Sequence, residues 1–469
     1  QRQMCIRDSA YTFKEVYDMS RSVATYLAKK DIYNKPVVVF MRKHPKEILA
    51  FFGAITSGNF YVPVDEEMPL SRIQLILDNV KSPVIICDND TYECACKMNY
   101  SGEIVHFDDI CDGEEDTELL KEIYDNSIDT DPIYIVFTSG STGVPKGVLA
   151  CHRSVIDYIE QLSETLGFDG NTVFGNQTPL YFDACLKELY PTLKFGATTY
   201  LIPKSLFMMP IKLVEFMNEH KVNTVCWVVS ALTMISAFGT FRKVRPEYLK
   251  TIAFGSEVFP IKQFNIWKEN LPEASFTNLY GPTEGTGMCC YYKVDRDFEL
   301  DEVIPIGHPF KNTQILLLKD RKELAKPGEV GEICIRGTSV TLGYYNNPEK
   351  TSESYIQNPL NTAYPEIIYC TGDLGKYNEN KELVFVSRKD YQIKHMGHRI
   401  ELGEIEANVN MLDGIKFSGC IYDNEKGKIV LYYSGDITDK DIAVELRNRL
   451  PRYMTVSYTH LTLPTNSRV

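Results

Sequence analysis

The segment from Tyr134 to Val148, YIVFTSGSTGVPKGV, carries the densest chemistry in the chain. An apolar strand opens into Thr138, Ser139, Gly140, Ser141, Thr142 and Gly143, and Lys146 follows shortly after. Hydroxyls, glycines that let the backbone approach a ligand, and one cation are the features needed to hold a polyphosphate. The spacing is not that of a Walker A loop, because no Gly-Lys-Ser/Thr closes it and no helix N-cap follows Lys146 where that motif requires one. A flexible Ser/Gly linker is the alternative, but linkers do not ordinarily follow directly on an apolar strand. Cys94 and Cys96 form a lone Cys-x-Cys with no second pair nearby, which reads as a loop rather than a metal site.

Such a loop has to be held by a layered scaffold. Apolar β-rich runs alternate with amphipathic segments: Pro36 to Met41, Pro45 to Ser57, Phe60 to Pro63, Leu70 to Val80, Pro83 to Cys87. This alternation predicts α/β layering. It breaks at an acidic stretch, Asp112 to Asp131, expected to be a solvated surface connection, and resumes with a strand at Ile133 to Phe137. Further units run through Thr172 to Pro179, Thr198 to Ile202, Val222 to Val229 and Leu249 to Phe254. From about Glu302 the runs shorten, as in Gln314 to Leu318 and Gly331 to Arg336, predicting a β-rich subdomain. A charged piece begins near Arg388, with a helix expected over Glu401 to Met411.

The 469 residues, 44% of them hydrophobic, suffice for a large core divided into lobes. A formal net charge of -13 argues against nucleic acid or an anionic membrane as partner. No run approaches the roughly 18 apolar residues of a membrane span. The 13 cysteines show no disulfide framework, so a cytoplasmic setting is expected. Residues 1–9 and 456–469 are expected to be non-native tails.

Further motifs follow in order: Phe182-Asp183, Asn278-Leu279-Tyr280-Gly281-Pro282-Thr283-Glu284, Gly331 to Gly337 (GEICIRG), Tyr369-Cys370-Thr371-Gly372-Asp373, Arg388 to Lys394 (RKDYQIK) and Gly397 to Glu406 (GHRIELGEIE). Together with the loop they resemble the acyl-adenylate-forming (AMP-binding) superfamily, which includes acyl-CoA synthetases, luciferases and adenylation domains of nonribosomal peptide synthetases. The resemblance covers about residues 10 to 455. It implies a large AMP-binding core over residues 10–387, layered α/β with a β-rich subdomain, and a small mobile α+β lid over residues 388–455, incomplete here, with Asp390 at the hinge. It also implies ATP and Mg²⁺. Residues 138–143, Lys146, Tyr280, Gly281, Thr283, Asp373 and Arg388 would hold the nucleotide, with Thr283, Glu284 and Lys146 in the catalytic set.

Each match has its own physical sense. Tyr280 offers a flat face for a base, Thr283 a hydroxyl for a phosphate oxygen, and Glu284 a hard carboxylate for Mg²⁺. Asp373 can accept hydrogen bonds from both ribose hydroxyls, and Arg388 can reach the ribose. The family's bridging lysine falls beyond Met454, so it is expected to be missing. Rotation at Asp390 would bring the Lys394 to Arg399 loop to the site for a pantetheine thiol.

Asp183 separates the subfamilies, since in amino-acid-activating members it pairs with the substrate α-ammonium, and an unpaired buried carboxylate would be costly. A helix-capping role is the alternative. The resemblance to peptide-synthetase adenylation domains and D-alanine:carrier-protein ligases implies an amino acid substrate and a phosphopantetheinyl carrier protein as acceptor. Pocket positions are Ala184, Lys187, Ser230, Ile252, Phe254, Leu279, Gly287 and Met288. Lys187 could meet an acidic side chain, or point outward and pair with Glu188. An acyl-CoA or aryl-CoA ligase, and a non-catalytic nucleotide-binding protein of the same fold, are the competing expectations.

Overall fold

The computed structural model describes residues 3–6, 9–140, 144–389, 392–423, 426–454 and 456–460. Ser141, Thr142 and Gly143 of the loop and Asp390 of the expected hinge lie outside them.

Val37, Val38, Val39 and Phe40 are all buried, which is the mark of a strand covered on both faces. That strand, Pro36–Phe40, lies inside a sheet ordered Glu103–His106, Val84–Cys87, Pro36–Phe40, Phe60–Pro63, Pro132–Thr138, Lys146–Cys151. The strands run parallel up to Pro132–Thr138, which pairs antiparallel with Lys146–Cys151. Thr138 and Lys146 are register partners, so the two strands that flank the loop are paired up to its ends.

A second sheet sets Thr224–Val228, Thr251–Gly255 and Ser275–Tyr280 side by side and parallel. Their carboxyl ends deliver Ser230, Glu257 and Gly281 to one edge, where open α/β sheets bind ligands. Gln3–Ile6 joins this sheet beside Thr198–Leu201. A third, antiparallel sheet carries Thr313–Lys319, Gly331–Gly337, Ile367–Tyr377 and Leu383–Arg388, and it sets Asp373 opposite Arg388.

Beyond Arg388, the hairpin of Gln392–His395 and His398–Glu401 leads into the helix Leu402–Asn410 and the strands Ile415–Asp423, Lys428–Gly435 and Ser457–His460. This piece packs around its own cluster, including Ile400, Ile405, Leu431, Ile442 and Met454. The sequence expectation of an α/β core with a β-rich subdomain matches this architecture.

The acidic stretch is not simply a solvated connection. It folds as the helix Thr117–Asn126, because Asp116 accepts the Leu119 N–H as N-cap and Leu120 is buried. Dense acidity masked its few apolar positions. Among the described residues no helix is long and apolar enough to cross a membrane.

Candidate active site

Thr138 ends its strand with a buried hydroxyl that has no hydrogen-bond partner among the described residues. Beside it, a Cβ on Gly140 would lie 2.1 Å from Val144 O, so the close turn excludes a side chain. At the end of the strand Ser275–Tyr280, a Cβ on Gly281 would lie 2.3 Å from Gly287 O and 2.5 Å from Met288 Cα. The two glycines are required by the packing of their own backbone, and the unpartnered Thr138 hydroxyl suits a phosphate oxygen. Lys146 is part-buried, 3.9 Å from Glu401 Oε1, and burial draws its ammonium below the usual lysine range.

The ribose-type residues converge. Tyr280 Oη donates to Asp373 Oδ2 at 2.6 Å, and Arg388 Nη1 donates to Oδ1 at 2.5 Å. The Asp373 N–H donates to Thr371 Oγ1 at 2.9 Å. Lys394 Nζ lies 5.4 Å from the Tyr280 ring centroid.

Glu284 is fully buried, and both its oxygens are engaged. Tyr344 Oη donates to Oε1 and Arg399 Nη1 to Oε2, each at 2.7 Å. Burial alone would raise this carboxyl, but the Arg399 and Lys146 cations and the Tyr344 hydroxyl outweigh it and hold it at about 2. An ionised hard carboxylate fits Mg²⁺, which would take its other ligands from phosphate and water. A cation on Oε2 would displace Arg399.

On the acid side, Asp183 is buried and does not cap the following helix; Phe182 occupies the N-cap position of the short turn Asp183–Cys185. Burial raises the Asp183 carboxyl above the usual carboxylate range, against a hydrogen bond with Thr283 and the Lys187 cation. Thr283, Asp183 and Glu284 thus share one locale. Lys187 is 2% exposed and does not point outward; among the described residues no carboxylate forms an ion pair with it. Leu279 and Met288 share a core cluster with Cys185 and Leu186, and Ala184 follows Asp183 directly. Gly287, at φ 83°, packs its Cα face on the Tyr158 ring.

Ile252 and Phe254 fall in a different core cluster from Leu279 and Met288. They belong to an aromatic cluster with Trp227, Phe259 and Phe264, whereas Ala253 and Cys226 join the cluster beneath Asp183. Successive strand residues point to opposite faces, which is why Ala253 joins one cluster and its neighbours Ile252 and Phe254 the other.

The hairpin beyond Arg388 inserts here. Its tip, Met396 (φ 51°) and Gly397 (φ 79°), has the double positive φ of a tight hairpin turn. The Gly397 N–H donates to Glu257 Oε1 at 2.9 Å, and Glu257 Oε2 accepts the Ser230 N–H at 2.8 Å, so one carboxylate bridges core and hairpin. Ser139 Oγ donates to Arg399 O at 2.8 Å. His398 stacks on Tyr453 at 3.8 Å and meets Phe182 edge-on at 5.2 Å. Deeper in the same interface, Arg72 of the core forms a buried ion pair with Glu404.

The model of the AMP-binding enzyme family matches residues 2–345. The chain belongs to the AMP-binding enzyme family. It is 27% identical over 464 residues to tyrocidine synthase 2 of Brevibacillus parabrevis, covering 97% of this chain and 12% of that protein. The chain therefore spans only a small part of this relative's length. Among solved structures it is similar to the Vibrio cholerae adenylation domain AlmE in complex with glycyl-adenosine-5'-phosphate, with TM-score 0.85, 20% identity, and coverage of 99% of this chain and 92% of that one. It is also similar to o-succinylbenzoate CoA synthetase of Bacillus subtilis, with TM-score 0.83, 19% identity, and coverage of 99% and 93%. At such identities these likenesses describe the fold.

Sequence reasoning missed Tyr344 and Glu257, and the pairing of Arg399 with Glu284. Tyr344 lies in the plain run Leu342-Gly343-Tyr344-Tyr345, and nothing in that run marks a carboxylate partner.

Proposed function

We propose that this chain activates an amino acid as its aminoacyl-adenylate at the expense of ATP, and then passes the aminoacyl group to the phosphopantetheine thiol of a carrier protein. The observation that carries the amino-acid reading is Asp183, a buried carboxylate next to Thr283 and Glu284. A fatty or aryl acid has no cation to match it. Residues 10–387 would form the catalytic core and 388–455 the mobile lid.

In the first half-reaction a substrate carboxylate oxygen bonds to the α-phosphorus of ATP, and the bond from that phosphorus to the β-bridging oxygen breaks to release pyrophosphate. Both partners are anionic, so positioning and charge neutralisation dominate. Thr138, the loop glycines and Lys146 hold the phosphates, Thr283 donates to a phosphate oxygen, Tyr280 flanks the base, and Asp373 with Arg388 takes the ribose. Bound Mg²⁺, held by Glu284, would supply charge neutralisation at the phosphates. In the second half-reaction the thiol sulfur bonds to the acyl carbon, the bond from that carbon to the phosphate oxygen breaks, AMP leaves with the electron pair, and the thiol proton is released to solvent.

The lid position supports assigning the described arrangement to this second step. With Arg399 on Glu284 Oε2, that oxygen is not open to a metal. The hairpin tip meanwhile lies against Phe182 and Val228, near the acid.

The test is exchange of labelled pyrophosphate into ATP with each common L- and D-amino acid. Exchange with an amino acid, lost in Asp183→Ala, is expected. Exchange only with fatty or aryl acids would reassign the chain as an acyl-CoA or aryl-CoA ligase, and nucleotide binding without any exchange would make it a non-catalytic member.

A further inference from the structure

Cys334 lies on the strand Gly331–Gly337 and Cys370 on the strand Ile367–Tyr377, and the two are register partners across an antiparallel ladder. Residues directly opposite in such a ladder have Cα atoms about 4.5–5.5 Å apart, inside the range that a disulfide spans. Their side chains share one face of the sheet, and the Cys334 thiol donates to Cys370 Sγ at 3.4 Å. Disulfide sulfurs lie about 2.0 Å apart, so closure asks for side-chain rotation and leaves the ladder in place.

The pair lies under thin cover beside two cations. It shares a small apolar cluster with Leu316, Leu318 and Ile368, on which the part-buried Ile356 packs. The Arg321 side chain is 34% exposed and that of Lys389 55% exposed, and both pair with Glu332. The hydrogen bond from Cys334, with Arg321 and Lys389, holds the Cys370 thiol below its ordinary range against burial and Glu332. The same hydrogen bond and burial push the Cys334 thiol up. Cys370 is thus the sulfur that attacks as thiolate, and Cys334 the one that follows.

The ladder is interrupted immediately beyond the pair. Thr371, Gly372 and Asp373 together oppose the single residue Ile333. Gly372 takes φ 75°, Thr371 Oγ1 donates to Ile333 O at 2.8 Å, and the Gly372 N–H donates to Glu332 Oε1 at 3.1 Å. Cys370 is one foot of this bulge, and Asp373, which accepts from Tyr280 and Arg388, stands at the other.

We infer that Cys334 and Cys370 form a thiol pair that a peroxide oxidises to a disulfide, and that the bridge fixes the foot of the bulge presenting Asp373. The Cys370 thiolate attacks one oxygen of hydrogen peroxide; an S–O bond forms, the O–O bond breaks, and the departing hydroxide takes the proton shed by the thiol. The Cys334 sulfur then bonds to Cys370 Sγ, the S–O bond breaks, and the leaving hydroxide takes the Cys334 proton. Two electrons pass from the sulfurs to the peroxide, and two waters result. The site is independent of which acid the chain activates.

The test treats the reduced whole chain with hydrogen peroxide, alkylates it under denaturing conditions and digests it with trypsin. Cys334 falls in peptide 323–336 and Cys370 in peptide 351–376, each with no other cysteine. The two should appear as one cross-linked species, two hydrogens lighter than their sum and lost again with a dithiol reductant. It should form before the exposed Cys96 is oxidised. Backbone hydrogen exchange over residues 371–373 should slow in the bridged chain and recover on reduction. Cys334→Ser should abolish the cross-link and the slowing, and leave Cys370 as a sulfenic acid. Should that variant fail to fold, the wild-type map and its reversal still decide. Oxidation of Cys96 while Cys334 and Cys370 stay open to alkylation would overturn the inference, as would a bridge that leaves exchange over residues 371–373 unchanged.

Discussion

Glu284 lies wholly inside the protein yet stays ionised, and this has a measurable signature. Its carboxyl is held at about 2, below the ordinary 4.5. A depressed carboxyl stabilises the folded form above its unfolded pKa, and that contribution is lost as pH falls from 4.5 toward 2. Urea midpoints followed down this range should drop, and Glu284→Gln should flatten the drop. His398 works at milder pH. Burial lowers its pKa from 6.5 to about 4, so the docked ring is neutral, and docking weakens as pH falls from 6.5 toward 4. Protease cleavage within residues 392–401 should therefore speed up on acidification, and His398→Phe, which keeps the stacking, should remove the dependence. For Asp183, replacement by Asn should weaken aminoacyl-adenylate analogue binding by about 10- to 100-fold, the worth of a charge-assisted hydrogen bond. Thr138, Asp183, Glu284 and Asp373 stand out in the sequence by type and order, and the roles given to them above are proposals. Arg399 could not be paired with Glu284, since the contact spans a sequence separation of 115 that only the fold closes. Ile252 and Phe254 alternate along their strand with Ala253, whose side chain joins the other core cluster.

At the scale of elements, period and punctuation located most helices and strands. Phe60–Pro63 and Leu70–Val80 have the expected bounds because their apolar runs end at turn residues. The helix Thr117–Asn126 escaped because its cap and single buried leucine sit among acidic residues. The hairpin Gln392–Glu401 was visible as a motif, but its seat against the core was not, as that depends on Glu257 and Val228 far upstream. Its tip is confined: Gly397 has φ 79°, and a Cβ there would lie 2.7 Å from Val228 Cγ1. Gly397→Ala should cost about 1–2 kcal/mol of docking from the left-handed backbone alone. This would appear as faster hydrogen exchange at the tip, with little change in the global unfolding midpoint.

Across the whole molecule, the piece beyond Arg388 meets the preceding residues through ion pairs, among them Arg399 with Glu284 and Arg72 with Glu404. Breaking a buried pair from one side costs about 3–5 kcal/mol, while replacing both partners with apolar residues can be neutral. Arg72→Met should open the lid, seen as a larger radius of gyration in solution scattering, and Arg72→Met with Glu404→Leu should close it again. The seat at Glu284 has a further consequence in terms of mass action. Arg399 is tethered, so its effective concentration at that carboxylate is fixed by the chain, whereas a competing divalent cation arrives from solution at a concentration the surroundings set. Once the cation exceeds its dissociation constant, each tenfold rise in its free concentration moves the balance by about 1.4 kcal/mol toward the released lid. A fluorescence distance between core and lid should lengthen along a magnesium titration in the wild-type chain and stay flat in Glu284→Gln.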